Sequence, residues 1–220
     1  MKLNIFLKLK AFFFRIFLYL HGIILPIPLS NWAIGTHDVL IIIKTVRAYQ
    51  QRKKIKIIEF GSGVSTFVFL SLSKYFNDFS LISFEADPTW FMAIKNGISN
   101  VHDLSGDKSY RIYNTPYVSV DDYTGYELEK LDYILRGNLY DYIFIDAPPD
   151  TICEDARLKL ANYVTPLLSK YGTLVVHDVF RIEERYLFDR LKNGFLSSAY
   201  FPTKKGLGIL RFPLGNKHAS

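Results

Sequence analysis

From residue 55 onward, short and nearly unbroken apolar runs recur between longer amphipathic stretches. IKIIEF (55 to 60), LISFEA (81 to 86), YRIYNT (110 to 115), YDYIFID (140 to 146) and GTLVVHD (172 to 178) each have the length and the β-branched or aromatic content of a strand. Most intervals between them can hold a crossover helix, most clearly CEDARLKLANYVTPLLSK after Asp146. Apolar runs without a polar face, alternating with helices, predict a parallel sheet covered on both sides. SAYFP (198 to 202) and GLGILRF (206 to 212) are joined by only a few residues, including Lys204 and Lys205, which calls for a hairpin and an antiparallel edge. The pattern predicts a doubly wound α/β domain over residues 31–220 with a seven-stranded mixed sheet.

Ahead of that domain, residues 1–30 form an appendage whose first 29 positions, MKLNIFLKLKAFFFRIFLYLHGIILPIPL, are almost wholly apolar. Asn4, Lys8, Ala11, Arg15, Tyr19 and Gly22 recur at spacings of three, four and seven, so on a helix they form one narrow, less apolar stripe. Three readings follow: a helix lying in a membrane interface, a helix spanning the bilayer, or one packed on the domain with its basic stripe in water. Spanning conflicts with the positive-inside rule, which would hold Lys2, Lys8, Lys10 and Arg15 in the cytosol and send the rest of the chain across. Arg15 also interrupts any signal-peptide core, and Pro26 and Pro28 follow with no small-residue cleavage site. The next segment, SNWAIGTHDVLIIIKTVRAYQQRKK, reads as a helix capped by Thr36 or Asp38 and ending in the basic run Arg52, Lys53, Lys54.

Charge sharpens this division. The net charge is +6, yet residues 1–56 carry ten Lys/Arg against one acid, Asp38, while the remainder carries seventeen against twenty. The basic character thus belongs to the N-terminal quarter, where it suits an anionic membrane surface, and the domain lacks the basic-aromatic stripe of a nucleic-acid binder. The single cysteine, Cys153, excludes an intrachain disulfide framework and points to a reducing compartment, hence to a cytoplasmic protein that is peripheral on the membrane if residues 1–29 bind there.

In an open α/β sheet, ligands bind beyond the carboxyl ends of the strands. The residues there are Gly61 to Ser65, Glu85, Asp146, and the pair His177 and Asp178. Gly61 and Gly63 permit a sharp turn and close approach to a ligand, although a tight strand-to-helix turn needs them equally. A dinucleotide loop would place glycine at Thr66 and would tolerate Glu59 poorly beside a pyrophosphate. A cationic ligand without phosphate reverses that argument, and S-adenosylmethionine carries both a sulfonium and an ammonium. Glu85 stands where the two ribose hydroxyls would be gripped.

EFGSGVST, SFEADPTW, YDYIFIDAPP and GTLVVHDVFR, in this order and spacing, resemble the class I S-adenosylmethionine-dependent methyltransferases, particularly small O-methyltransferase-like members, over residues from about 35 to 212. The resemblance implies a Rossmann-like fold. It also implies that Glu59, Gly61, Ser62 and Gly63 line the methionine end, with Ser65 and Thr66 completing the loop, and that Glu85 with Ala86 holds the ribose. Asp146 would close the site near the transferred methyl group. Ser65 departs from the third glycine of many members.

Asp146, His177 and Asp178 further resemble the positions at which catechol-type O-methyltransferases hold magnesium. Two carboxylates suit such a hard cation, whereas His177 tilts the site toward a transition metal or toward none. Without metal, His177 or Asp178 is a candidate general base, and the plain alternative pairs Asp178 with Arg181 or Arg157. His37 either reaches the same pocket or stays in solvent. Tyr113, Tyr117, Tyr123 and Tyr126 form either a substrate lid or an aromatic core cap.

The expected function is methyl transfer to an oxygen of a small molecule or glycan, with Asp146, His177 and Asp178 in the catalytic roles. Two alternatives stand beside it: an aminopropyltransferase-like enzyme, and a non-catalytic, membrane-associated protein that binds S-adenosylmethionine.

Overall fold

The structure, a computed structural model, describes residues 2–29, 33–101, 108–120, 123–149, 152 and 155–211. Cys153 lies outside the described residues. Seven strands form one sheet: β1 (Lys54–Phe60), β2 (Asp78–Glu85), β3 (Lys108–Asn114), β6 (Tyr140–Ile145), β7 (Leu168–His177), β8 (Ser197–Phe201) and β9 (Leu207–Arg211), in the order β3-β2-β1-β6-β7-β9-β8. The first five are parallel, and β9 pairs antiparallel with both β7 and β8, as the short connection at Lys204 and Lys205 required. All seven predicted strands are present, shifted at their ends by a few residues.

Helices α2 (Thr36–Arg47), α3 (Val64–Leu72), α4 (Pro88–Val101), α5 (Leu128–Leu135), α6 (Ala156–Val164) and α7 (Ile182–Leu191) cover the two faces, and α1 (Lys2–Leu20) precedes them. Successive strand residues point to opposite sides, so Ile57, Tyr142, Phe144 and Val175 enter one core while Ile58, Ile143, Ile145 and Val176 enter the other. Both sets are buried, which is why the sequence runs carry no polar alternation.

Between β3 and β6 the chain adds a small antiparallel hairpin, β4 (Tyr117–Val120) with β5 (Tyr123–Tyr126). It packs as a core cap. Tyr126 is fully buried against Phe60 and Phe84, its hydroxyl donates to the Phe84 carbonyl at 3.3 Å, and Tyr117 meets it edge-on at 5.1 Å.

Helix α2 begins at Thr36 after Gly35, so neither Thr36 nor Asp38 is the N-cap; instead Asp38, in the first turn, accepts from the Gly35 N–H at 2.8 Å. The helix is tied to the sheet by the Thr45 and Tyr142 hydroxyls, 3.0 Å apart, and by Tyr49, whose hydroxyl donates to the Tyr171 carbonyl at 2.8 Å.

Helix α1 corrects one sequence expectation. Its stripe is not simply turned to water: Arg15, Tyr19 and Gly22 are exposed, yet the Arg15 guanidinium reaches back to donate to the carbonyls of Leu25 and Ile27, both at 2.6 Å. Leu18, Ile23, Leu25 and Ile27 are buried in the same core as β1 and α3, so the N-terminal segment is packed on the domain. No helix among the described residues is long and apolar enough to cross a membrane. Charge-assisted bonds to carbonyls contribute roughly 1.5–3 kcal/mol each. Arg15→Ala is therefore expected to lower urea-unfolding stability by about 2 kcal/mol and to speed proteolysis within residues 9–29.

Candidate functional site

The strand order reverses between β1 and β6, and the loops leaving these two strands form the walls of a cleft. Its lining comprises Gly61 to Ser65 after β1, Asp146 after β6, Trp90 of α4, and Pro28, Ala33 and Ile34 from the N-terminal segment. Backbone bonds fix both loops at their roots, Gly61 N–H to the Phe84 carbonyl of β2 and Asp146 N–H to the Phe60 carbonyl of β1, each at 2.9 Å.

The two loop glycines do different work. Gly61 has φ +91°, and a Cβ there would lie 3.0 Å from the Cβ of Ala147, so both conformation and space demand glycine. Gly63 is extended, with φ 178°, and a Cβ there would meet nothing within 4 Å. Among the described residues no packing demands glycine at 63; the open space beside its backbone belongs to the cleft.

Beneath the loop lies Glu59, wholly buried. Its Oε2 accepts from the Thr66 hydroxyl at 2.7 Å and from the Ser83 hydroxyl at 2.6 Å. Thr66 in turn accepts the Gly63 N–H at 2.9 Å, and the Ser62 hydroxyl lies 2.7 Å from that of Ser83. Glu59 is thus absent from the cleft lining and anchors the loop from below. Burial pushes its carboxyl up to about 7, against the pull of the surrounding hydroxyls. The expectation that Glu59 itself faces a cationic ligand is corrected: a desolvated acid held by hydroxyls is not a fixed charge on the cleft wall.

Glu85 ends β2, with Oε2 accepting from the Ser62 N–H at 3.0 Å and Oε1 from the Asp87 N–H at 2.9 Å. Burial raises its carboxyl to about 7 as well. Each oxygen keeps a lone pair for a hydroxyl donor. The neighbouring Ala86 is half-buried, and its carbonyl together with that of Glu85 faces the Asn114 amide. Trp90 donates its indole N–H to the Ser62 carbonyl at 2.8 Å, bracing the loop from the side.

Asp146, His177 and Asp178 come together as the sequence predicted, around a charge that it did not. His177 is fully buried; Nδ1 lies 2.7 Å from Asp146 Oδ1 and 3.2 Å from Asp178 Oδ1, while Nε2 faces Asp38 Oδ2 at 3.6 Å. Burial alone would lower its pKa, but Asp146, then Asp38 and Asp178, raise it to about 10, so the ring is an imidazolium at neutral pH. The same contacts, set against burial, hold Asp38 and Asp146 below the usual carboxylate range. His177 is therefore not a free general base.

Asp178, at φ +63°, also faces Arg181 at 3.3 Å and Lys205 at 3.7 Å. Arg157 pairs with Glu184 at 3.3 Å instead, and donates to the carbonyls of Pro148, Asp146 and His177 at 2.6, 2.8 and 3.0 Å. Of the whole cluster, only Asp146 lines the cleft. His37 is exposed and stays out of it; the adjacent Asp38 points in.

One ligand atom each from Asp146, His177 and Asp178 lies within 4.8 Å of the others, a span that one ion can bridge. The charges already there oppose it. Nδ1 of His177 already bonds Asp146, Nε2 faces Asp38 at 3.6 Å, and Arg181 and Lys205 approach Asp178. A divalent cation here would have to displace the His177 ring from Asp146 and the side chains of Arg181 and Lys205 from Asp178, which weighs this donor set against one.

The family described as "Methyltransferase domain" matches residues 58–179, more than half of the chain and the span that contains this cleft. The chain belongs to the methyltransferase-domain family. A sequence search of curated proteins finds no match. Among solved structures, the methyltransferase resembles an O-methyltransferase from Bacillus cereus in complex with SAH, at 14% identity and TM-score 0.61 over 84% of both chains. It also resembles a methyltransferase from Pyrococcus furiosus, at 17% identity and TM-score 0.60 over 94% of this chain and 98% of that one. The O-methyltransferase TomG from Streptomyces achromogenes, in complex with SAM, matches at 11% identity and TM-score 0.58 over 84% of this chain and 83% of the other. At such identities the likeness establishes the fold, a Rossmann-like methyltransferase sheet.

Two outcomes follow for this methyltransferase. Gly61→Ala is expected to cost about 1–3 kcal/mol of stability through strain at positive φ. Gly63→Ala should fold with wild-type stability within about 0.5 kcal/mol yet bind S-adenosylmethionine at least about tenfold more weakly in calorimetry. For Glu59, a folded pKa of about 7 against an ordinary 4.5 means that its stabilising protonated form is complete below about 4.5 and is lost as pH rises through 7. Glu59→Gln should therefore gain up to about 3 kcal/mol on the wild type between pH 5 and pH 8, read from urea melts at each pH.

Proposed function

We propose that this methyltransferase transfers the methyl group of S-adenosylmethionine to a hydroxyl oxygen of a small molecule or a glycan. The observation that carries the reading is Asp146: among the described residues it is the one carboxylate lining the cleft, it stands across from the Gly61–Ser65 loop, and its other face is fixed by His177. The residues present suit the donor, since the backbone at Gly63 leaves open space and the Glu85 carboxylate keeps acceptor capacity for a ribose. Bound there, S-adenosylmethionine supplies an activated methyl group, whose C–S bond breaks as the C–O bond forms.

The protein has two tasks, aligning the acceptor and receiving its proton. Asp146 serves both. With Oδ1 held by His177, its second oxygen accepts a hydrogen bond from the acceptor hydroxyl and orients the oxygen lone pair. Because His177 keeps this carboxyl acidic, Asp146 holds the proton only briefly before solvent takes it, which favours an acceptor hydroxyl that is itself acidic. His177 stays protonated and acts through Asp146, and Asp178, turned toward Arg181 and Lys205, supports the imidazolium.

The test is transfer of a labelled methyl group across a panel of phenolic, carboxylic and sugar acceptors. With an acceptor found, Asp146→Asn should lower kcat by about 10²- to 10⁴-fold while leaving S-adenosylmethionine affinity within about tenfold. Glu85→Ala should instead weaken cofactor binding by about 10- to 100-fold. Turnover should survive a chelator. Undiminished cofactor affinity in Glu85→Ala, or undiminished kcat in Asp146→Asn, would sink the assignment.

A further inference from the structure

With Leu18 buried and the Arg15 guanidinium tied to the Leu25 and Ile27 carbonyls, helix α1 leaves its most apolar face outward. Leu9, Phe12, Phe13, Ile16, Tyr19 and Leu20 are all between 39% and 76% exposed. At about 100° per residue they occupy a single sector of roughly 120°. Ile24, just past the helix, extends the surface and is also exposed. A contiguous aromatic and aliphatic face of this kind marks an interaction surface.

Beside it lies a groove of about 780 Å³, formed where α1 ends and the C-terminal turns of α2 and α3 approach it. Tyr19, Leu20 and Ile24 line one side, and Arg47 and Lys74 the other. The two cations gather on one ring, Arg47 at 4.8 Å and Lys74 at 5.4 Å from the centre of Tyr75. Lys44 and the exposed Leu40 continue the surface next to Arg47. Among the described residues, no carboxylate pairs with Lys44, Arg47 or Lys74, and none lines either depression. Asp38, the single acid of residues 1–56, is buried against His177.

We propose that the outer face of α1 and this basic groove form a docking surface for an anionic lipid bilayer, on which the protein lies without crossing it. Phe12, Phe13, Ile16 and Leu20 enter the headgroup–acyl boundary, while Lys44, Arg47 and Lys74 meet the lipid phosphates at its rim. Charge selects this occupant over a second copy of the chain. Pairing the face with itself would set an apolar surface rimmed by cations against its like, with no carboxylate on the face to meet them.

The experiment is flotation of the full chain with vesicles of phosphatidylcholine alone and with vesicles containing about one-third phosphatidylglycerol. Binding is expected to the anionic vesicles only and to weaken as salt is raised. Phe12→Asp with Phe13→Asp should abolish it, and Arg47→Glu with Lys74→Glu should lower the partition coefficient at least about tenfold. Thermal melts check that the variants fold; should the Phe12/Phe13 pair fail to, the exposed charge reversals carry the test. Equal binding to neutral vesicles overturns the proposal, as does binding to neither. A lipid-free dimer in sedimentation velocity that Phe12→Asp with Phe13→Asp dissociates would also overturn it, and would assign the face to a second copy.

Discussion

A buried imidazolium organises the carboxyl end of this sheet. His177 brings the start of α2, the end of β6 and the end of β7 to one point, because Asp38, Asp146 and Asp178 all turn toward its ring. Removing one member of a buried ion cluster leaves an uncompensated charge at a cost of about 3–5 kcal/mol, so the three chain ends cannot drift apart independently. Arg157 of α6 adds a second tie by donating to carbonyls at the ends of both β6 and β7. The carboxylate that reaches the cleft is therefore preorganised by charges behind it, which is what alignment-dependent chemistry needs.

The loop on the facing wall is held by a different device. Its hydroxyls and N–H groups run down to two buried acids, Glu59 below and Glu85 at the side, both pushed up to about 7 by burial. An acid whose neutral form is favoured can sit under a ligand loop without placing a full charge against it. Hydroxyl partners at 2.6 and 2.7 Å then fix the turn more tightly than glycine-rich backbone does alone. One wall carries fixed charge and the other carries shape.

The seven strands were legible because both faces of each central strand are apolar, a pattern that short length and β-branched or aromatic content separate from helix. The β4–β5 hairpin was not, since its tyrosines alternate with Thr, Ser and Gly and read as an irregular loop. Asp146, His177 and Asp178 were legible from their place at strand ends. Asp38 was passed over for its neighbour His37, although its being the only acid in the first 56 residues was the available signal. Glu59 was misread because nothing local shows that Ser83, twenty-four positions later, lies across its carboxylate. Lys205 of the β8–β9 connection was read only as a turn residue, since what it approaches is set by the antiparallel edge.

The orientation of α1 was lost for a related reason. An arginine in an apolar helix reads as a surface residue unless carbonyls wait for it, and those of Leu25 and Ile27 exist only once the chain has reversed after Leu20. That reversal has a consequence for the cleft. Arg15 holds the segment whose next residue, Pro28, is part of the cleft wall, while Ile23, Leu25 and Ile27 fill the core beneath. Ile24, four residues before Pro28, stands on the exposed face. The wall beside the cofactor loop is thus only as firm as the seat of α1, and whatever covers that helix also steadies the wall.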